Sequence, residues 1–291
     1  MNLFLTGITG FCGSHVARRL LHAGHSVWAL ARKSLATPRT PDVAERLNIV
    51  VGDLPALAAL PPLTEAIIHI AAVSPGDGTT TSEFVQSNIL GTERLLYLAR
   101  QSGVRKFIFF SSISLYGEIR IPVVDEGTPI LNPGPYGVSK LVSEMLMRDL
   151  AKETDSIALR LPGVLGRGAS RHWLSTLTER ARNGCDLRVF NPESPFNNAV
   201  HIDDLNDLIE RLLRRDWSGF DAVTLGARGS LTISEIANRV ARAAPKPVRV
   251  IAEPSSRSSF TISSERAMAV YGYQPMEFDK MLNQYLHEAL Q

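Results

Sequence analysis

An α/β fold built on a doubly wound parallel sheet, with a smaller C-terminal lobe, is what this sequence predicts, and three observations predict it. Short apolar, β-branched or aromatic runs alternate with longer helical patterns through the first two-thirds of the chain. The runs are apolar along their whole length, as strands covered on both faces are. The first run leads straight into a glycine-spaced turn and a helix, "TGITGFCG" followed by "SHVARRLLHAG". Strand–helix alternation produces right-handed crossovers, and these wind helices onto both faces of a parallel sheet.

The predicted strands are 2–6 (NLFLT), 26–30 (SVWAL), 47–51 (LNIVV), 66–70 (AIIHI), 106–111 (KFIFFS) and 156–161 (SIALRL). Predicted helices lie at about 11–23, 82–102 and 136–153. From about residue 163 the chain is richer in Pro, Arg and Asn and its elements shorten. A core over 1–162 and a smaller lobe over 163–291, interleaved with the end of the core, follow from that change. A chain of 291 residues is long enough for both.

Composition removes several classes of function. Hydrophobic residues at 44% and charged residues at 21% fall in the soluble globular range. A net charge of +2 gives no field that calls for nucleic acid. No apolar stretch approaches the roughly 20 residues of a spanning helix. The N-terminus has no basic region and reaches its glycines by Gly7, unlike a signal peptide. Cys12 and Cys185 lie far apart and match no metal-ligand spacing. The expectation is a cytoplasmic protein with no metal and neither a nucleic-acid nor a membrane partner.

Gly7, Gly10 and Gly13 sit between the first strand and the first helix. A glycine-rich turn there occurs without any ligand, but the position gathers free backbone N–H groups and the positive end of a helix. That combination attracts a pyrophosphate. Gly7 permits the turn, Gly10 lets the backbone approach a phosphate, and Gly13 lets helix and strand pack closely. The second strand ends in Ala31, Arg32 and Lys33, with no acid to take ribose hydroxyls. An arginine at this place accommodates a 2′-phosphate, so NADP is favoured over NAD.

"NPGPYGVSKLVSE" places Tyr136 and Lys140 one turn apart on a helix face, after Pro133 and Pro135. An adjacent ammonium stabilises a phenolate and brings a phenol of pKa about 10 toward the working range. Upstream, "FIFFSSISLYG" is a strand that ends in Ser111, Ser112 and Ser114. Hydroxyls at the carboxyl end of a parallel strand stand where open α/β sheets bind ligands.

Together these pieces resemble the extended short-chain dehydrogenase/reductase family, in its NAD(P)-dependent epimerase/dehydratase branch, over nearly the whole chain. The glycine loop matches at 7–13, with Thr9, Phe11 and Cys12 between the glycines. "GDL" resembles the adenine-side turn, with Asp53 and Leu54, and "HIAAVS" the segment that passes the phosphates, with Ala71 and Ala72. "NILGT" matches the helix asparagine that braces the active-site strand, here Asn88. Ser112 corresponds to the catalytic Ser/Thr, "YGVSK" to the Tyr-x-x-x-Lys pair, and Pro162 in "RLPGVLGRG" to the residue beside the nicotinamide. "AVHIDDL" resembles the later segment leading back to the body of the protein.

The resemblance implies a Rossmann core that binds the dinucleotide and a smaller substrate-binding lobe. It implies hydride transfer to or from a carbinol carbon, with Ser112, Tyr136 and Lys140 catalytic, as reductase or epimerase. Acidic residues usual after the catalytic serine in dehydratases are replaced by Ile113 and Ser114. It also implies a homodimer through helices near 82–102 and 136–153, whose surplus apolar residues include Leu95, Leu96, Leu98, Met145, Leu146 and Met147. The substrate contacts depart from the pattern. Asn197 and Asn198 stand near where an arginine is usual, and Gly163 where asparagine is usual. Ser114, Arg167, Arg171, His172, Asn197 and Arg257 are the candidate substrate residues. A nucleotide-linked sugar is the favoured substrate. The alternatives are a non-sugar carbonyl compound and a non-catalytic NADP-binding sensor.

Overall fold

A computed structural model describes residues 1–34, 45–151, 153–170, 172–255 and 258–290. The chain forms two compact units, one of Met1–Gly117, Ile130–Arg160 and Ile209–Val223, the other of Glu118–Pro129, Leu161–Leu208 and Thr224–Gln291. Relative to a cut at 162/163, residues 118–129 join the second unit and 209–223 the first. Pairing explains both. Val123–Val124 pairs in parallel with Thr261–Ile262. The Lys106 ammonium, from the main sheet, donates to the carbonyls of Leu212, Leu213 and Arg215 at 2.6–3.2 Å.

The first unit is built on β1 (Asn2–Thr6), β2 (Ser26–Ala31), β3 (Leu47–Val51), β4 (Ala66–His69), β5 (Lys106–Ser112), β6 (Asp155–Leu161) and β7 (Phe220–Thr224). Their order in the sheet is β7-β6-β5-β4-β1-β2-β3. Strands β3, β2, β1, β4 and β5 all pair in parallel, with Leu5 opposite Ala29 on one side and Ile68 on the other. Every residue of β4 and β5 is buried, the reason these strands read as unbroken apolar runs. The order reverses between β1 and β4, and such a switch point opens a crevice at the strands' carboxyl ends.

Helix α1 spans Phe11–His22. Helix α2 has three parts: Thr81–Glu83, a π-wound stretch Phe84–Leu90, and Gly91–Gln101. Helix α3 spans Pro135–Leu150, with its proline in the first turn, where a missing N–H costs nothing. Leu95, Leu96, Leu98 and Met147 pack into the core with Phe4, Ile67 and Phe107, and Leu146 is partly buried against it. Of the six apolar residues expected at a subunit interface, only Met145 is largely exposed. The exposed apolar residues of α2 are Val85, Leu90 and Tyr97, and those of α3 are Val138 and Met145.

The predicted strands agree with the observed ones to within one residue at each end, and α3 stops three residues early, at Leu150. The seventh strand, β7, was not predicted. "FDAVT" is short and follows the polar stretch "RRDWSG", so it carries little pattern of its own.

The second unit consists of short ladders and helices. Gly163–Leu165 pairs with Ala199–His201 and Leu187–Phe190 with Val250–Glu253, both in parallel. Leu174, Leu177, Val189, Ile236, Met281 and Tyr285 form its core. Among the described residues no helix is long and apolar enough to cross a membrane.

Candidate active site

The glycine loop follows β1 in a tight turn. Gly7 has φ +81°, where a side chain is strained, and a Cβ there would stand 2.8 Å from the Ala71 nitrogen. A Cβ on Gly13 would meet the Gly7 carbonyl oxygen at 2.0 Å, so helix and loop touch backbone to backbone. Gly10 differs. It is exposed, and a Cβ there would meet only the Gly7 oxygen, at 3.4 Å. Gly10 caps α1 without a side-chain bond, and no acid occupies the first turn. The open N–H groups and helix dipole at this point fit a pyrophosphate.

At the carboxyl end of β5 the strand and α3 meet through three side chains, each one turn from the next. Tyr136 carries its ring 5.8 Å from the Lys140 ammonium, and Ser112 is close enough to favour ionisation of its phenol. Lys140 Nζ donates to the Phe110 carbonyl at 2.8 Å and lies 4.6 Å from the Phe109 ring centre. Glu144 accepts from Ser111 Oγ at 2.6 Å and from Arg160 at 2.7–3.3 Å, and Arg160 also donates to the Tyr116 hydroxyl at 2.7 Å. Glu144 and Arg160 are buried as a bidentate ion pair. Neither was singled out from the sequence. The four-residue spacing of Tyr136, Lys140 and Glu144 was the available signal.

The electrostatics differ from the expected activation of the phenol by the lysine. Burial pushes the Tyr136 phenol above its ordinary value, and Ser112 opposes that shift. Cys12, in the glycine loop, pushes it slightly further up, in the same direction as burial, and the Lys140 ammonium lies 5.8 Å from the Tyr136 ring centre. Burial also pushes the Cys12 thiol up to about 12. Lys140 is fully buried, which pulls its ammonium down to about 7 against the charge of Glu144. Ser112 Oγ further donates to Ser114 Oγ and accepts the Ser114 N–H, both at 3.1 Å.

The structure brings Cys12, Ser112, Ser114, Tyr136 and Lys140 together. Asn88 stands behind them, its amide accepting the Val73 N–H at 2.7 Å and donating to the Val73 carbonyl at 3.0 Å. Ala71 and Ala72 continue from β4, opposite Gly7. Arg32 is exposed at the end of β2, and Asp53 at the end of the neighbouring β3 caps the turn Leu54–Ala56 through Oδ1. Thr9 is exposed and Phe11 half-buried.

In the second unit Pro162 precedes Gly163, both half-buried. The His172 ring fills the space a Gly163 side chain would take, accepts the Leu174 N–H and bonds the Asn198 carbonyl. The Asn197 amide donates to the carbonyls of Ala227 and Ile262 and accepts the Ile262 N–H, so it braces the backbone of this lobe. Arg167 is exposed. Arg171 and Arg257 lie outside the described residues.

The NAD dependent epimerase/dehydratase family profile matches residues 3–225. A UDP-glucose 4-epimerase of Erwinia amylovora is 30% identical over 273 residues, covering 81% of each chain. A D-erythronate dehydrogenase of Cupriavidus necator is 27% identical over 325 aligned residues, covering 99% of each. Among solved structures, MoeE5 in complex with UDP-glucuronic acid and NAD superposes with a TM-score of 0.83 at 23% identity, over 99% of this chain and 98% of that one. The glycine cradle, the Ser–Tyr–Lys cluster and the whole-length match agree: the chain belongs to the NAD-dependent epimerase/dehydratase family and is an enzyme of the extended short-chain dehydrogenase/reductase type.

Proposed function

We propose that this enzyme exchanges a hydride with a carbinol carbon of a nucleotide-linked sugar, with Tyr136 as acid and base. One observation carries the reading: the Tyr136 ring centre lies 5.8 Å from the buried Lys140 ammonium, which is itself fixed to the Phe110 carbonyl near the carboxyl end of β5. A phenol and an ammonium held together at the end of a parallel strand stand where such sheets bind ligands. The dinucleotide, when bound, supplies the hydride donor and acceptor. The backbone from Gly7 to Gly13 takes its pyrophosphate, and Asp53 and Leu54 flank the adenine. Ala71 and Ala72 would form the opposite wall, and Pro162 is the residue that the family resemblance assigns to the nicotinamide. Arg32 takes a 2′-phosphate, which favours NADP over NAD.

Burial keeps Tyr136 protonated, ready to give its proton to a carbonyl oxygen, while Ser112 holds that oxygen. In the oxidising direction the Ser112 hydroxyl bonds the phenolate and eases loss of the proton. Lys140, poised near neutrality, supplies charge to the phenol and a donor to the ribose. Ser114, Arg171 and Arg257 are the substrate contacts, and the working form is a cytoplasmic homodimer.

A second reading has support of its own: a polyhydroxy acid without a nucleotide. A relative that spans 99% of the chain is a dehydrogenase of such an acid, and the Asn197 amide is already bonded to backbone. Single-turnover oxidation of bound NADPH by keto-sugar nucleotides and by keto-acids, beside fluorescence titration of cofactor, separates the two. Tyr136→Phe should keep cofactor affinity and lose about 10²–10⁴ in turnover. Full activity of that variant would refute the assignment. Tight cofactor binding by a wild type that reduces or epimerises nothing would instead support a sensor.

A further inference from the structure

Behind the wall opposite the glycine loop runs a chain of buried polar side chains that, Asn88 apart, have no role in the reaction above. Thr6, the last residue of β1, accepts the N–H groups of Ile70 and Ala71 on its hydroxyl oxygen, both at 3.1 Å. Its proton therefore goes to His69 Nδ1, 2.7 Å away. His69 is buried and neutral, so its own proton sits on Nε2 and points to Thr92 Oγ1 at 2.9 Å. Thr92 donates in turn to the Asn88 carbonyl at 2.5 Å. Asn88 lies in the π-wound stretch of α2, a rare conformation that interrupts the usual helical ladder.

From Asn88 the path divides. One N–H of its amide holds the Val73 carbonyl, and the other donates to Ser139 Oγ at 3.0 Å. Ser139 donates to the carbonyl of Tyr136 at 2.8 Å and is itself buried. Each proton in this path has one direction, fixed by the acceptor that follows it.

We propose that His69 and Ser139 are positioning residues. They close a path from the wall at Ile70–Val73 to the backbone of Tyr136, hydrogen-bonded throughout except where it passes through Asn88 itself, from main-chain carbonyl to side-chain amide, so the phenol and the wall keep one spacing. The inference rests on Tyr136 being the proton-transfer group. Proton and hydride must move within one compact geometry, and a misplacement of 1 Å is enough to slow such a reaction severely.

The test is a double-mutant cycle on Ser139→Ala and Tyr136→Phe, read by cofactor affinity and by single-turnover oxidation of bound NADPH. Ser139→Ala should leave cofactor affinity within about twofold and slow turnover by about tenfold, the worth of one buried hydrogen bond. In the Tyr136→Phe background it should change the rate by less than about twofold, because the group it positions is gone. An unaltered rate in Ser139→Ala, or the same factor in both backgrounds, would overturn the proposal. Tyr136→Phe alone reports on the acid/base assignment, so its failure is seen separately. Hydrogen exchange reads the path without turnover. Ser139→Ala should speed exchange of the Val73 amide, which Ser139 does not touch, and unchanged protection there would also overturn it.

Discussion

Gly13→Ala and Gly10→Ala differ by one methyl group placed three residues apart, and the structure assigns them opposite signatures. A Cβ on Gly13 would stand 2.0 Å from the Gly7 oxygen, 2.5 Å from the Gly7 carbonyl carbon and 2.9 Å from the Ile8 nitrogen. Ordinary contact begins at 3.4 Å, so loop and helix must part by 1.4 Å, and every neighbour is backbone that cannot rotate away. Overpacking of this kind costs about 3 kcal/mol, the upper end of its usual range. The melting temperature should fall by about 5–10 °C. Cofactor affinity should fall by about 10–100-fold as the displaced N–H groups lose a charge-assisted bond.

At Gly10 the same methyl meets only one atom, at 3.4 Å, and points into open space. Gly10→Ala should melt within about 1 °C of wild type, since exposed changes move stability by about 0.5 kcal/mol or less. It should nevertheless lose at least tenfold in NADH and NADPH affinity by fluorescence titration, because the methyl stands where a pyrophosphate approaches. Wild-type affinity in Gly10→Ala would show that the loop does not face a cofactor. A wild-type melting temperature in Gly13→Ala would refute the packing argument.

Arg32→Ala should weaken NADPH binding and leave NADH little affected, and equal wild-type affinities unchanged by the substitution would remove the NADP preference. Burial holds His69 down at about 3 and His172 at about 4, so both stay neutral in the folded protein while the unfolded chain protonates near 6.5. Stability present above that pH is therefore lost as pH falls from about 6.5 to 4, by about 1.4 kcal/mol per unit for each histidine. His172→Gln should flatten the fall in melting temperature over that window, and an unchanged slope would contradict the assignment. Tyr97 and Met145 are each more than half exposed, on α2 and α3. Tyr97→Glu with Met145→Glu should turn a dimer into a monomer by light scattering at micromolar concentration, and a wild-type monomer would refute the interface.

Six of the seven strands of the large sheet were legible as apolar runs, most plainly β4 and β5, where burial on both faces leaves continuous apolar residues. The seventh was not, because Phe220–Thr224 gains its place from the neighbouring β6 and from the lysine that anchors the segment before it. At the site, Gly7, Gly13, Tyr136 and Lys140 were readable from spacing, and Ser112 was told apart from Ser111 and Ser114 only by the family resemblance. The roles of Glu144 and Arg160 were not, since they are 16 residues apart and only the crossing of α3 over β6 makes them a pair. The apolar residues chosen for an interface illustrate the same limit. Hydropathy marks Leu95, Leu96 and Leu98 as strongly as Met145, and only packing tells a core leucine from an exposed methionine.

The sequence by itself determined the sheet, the glycine turn and the one-turn spacing of Tyr136 and Lys140, because each is encoded within one or two turns of chain, where periodicity and spacing suffice. Tertiary structure alone decided the charge states, the bracing and the availability of side chains. Lys140 titrates near 7 because folding buries it, and Asn197 is bonded to backbone 30 and 65 residues away. Desolvation and long-range hydrogen bonds depend on which distant segments meet, and the local sequence carries no record of that.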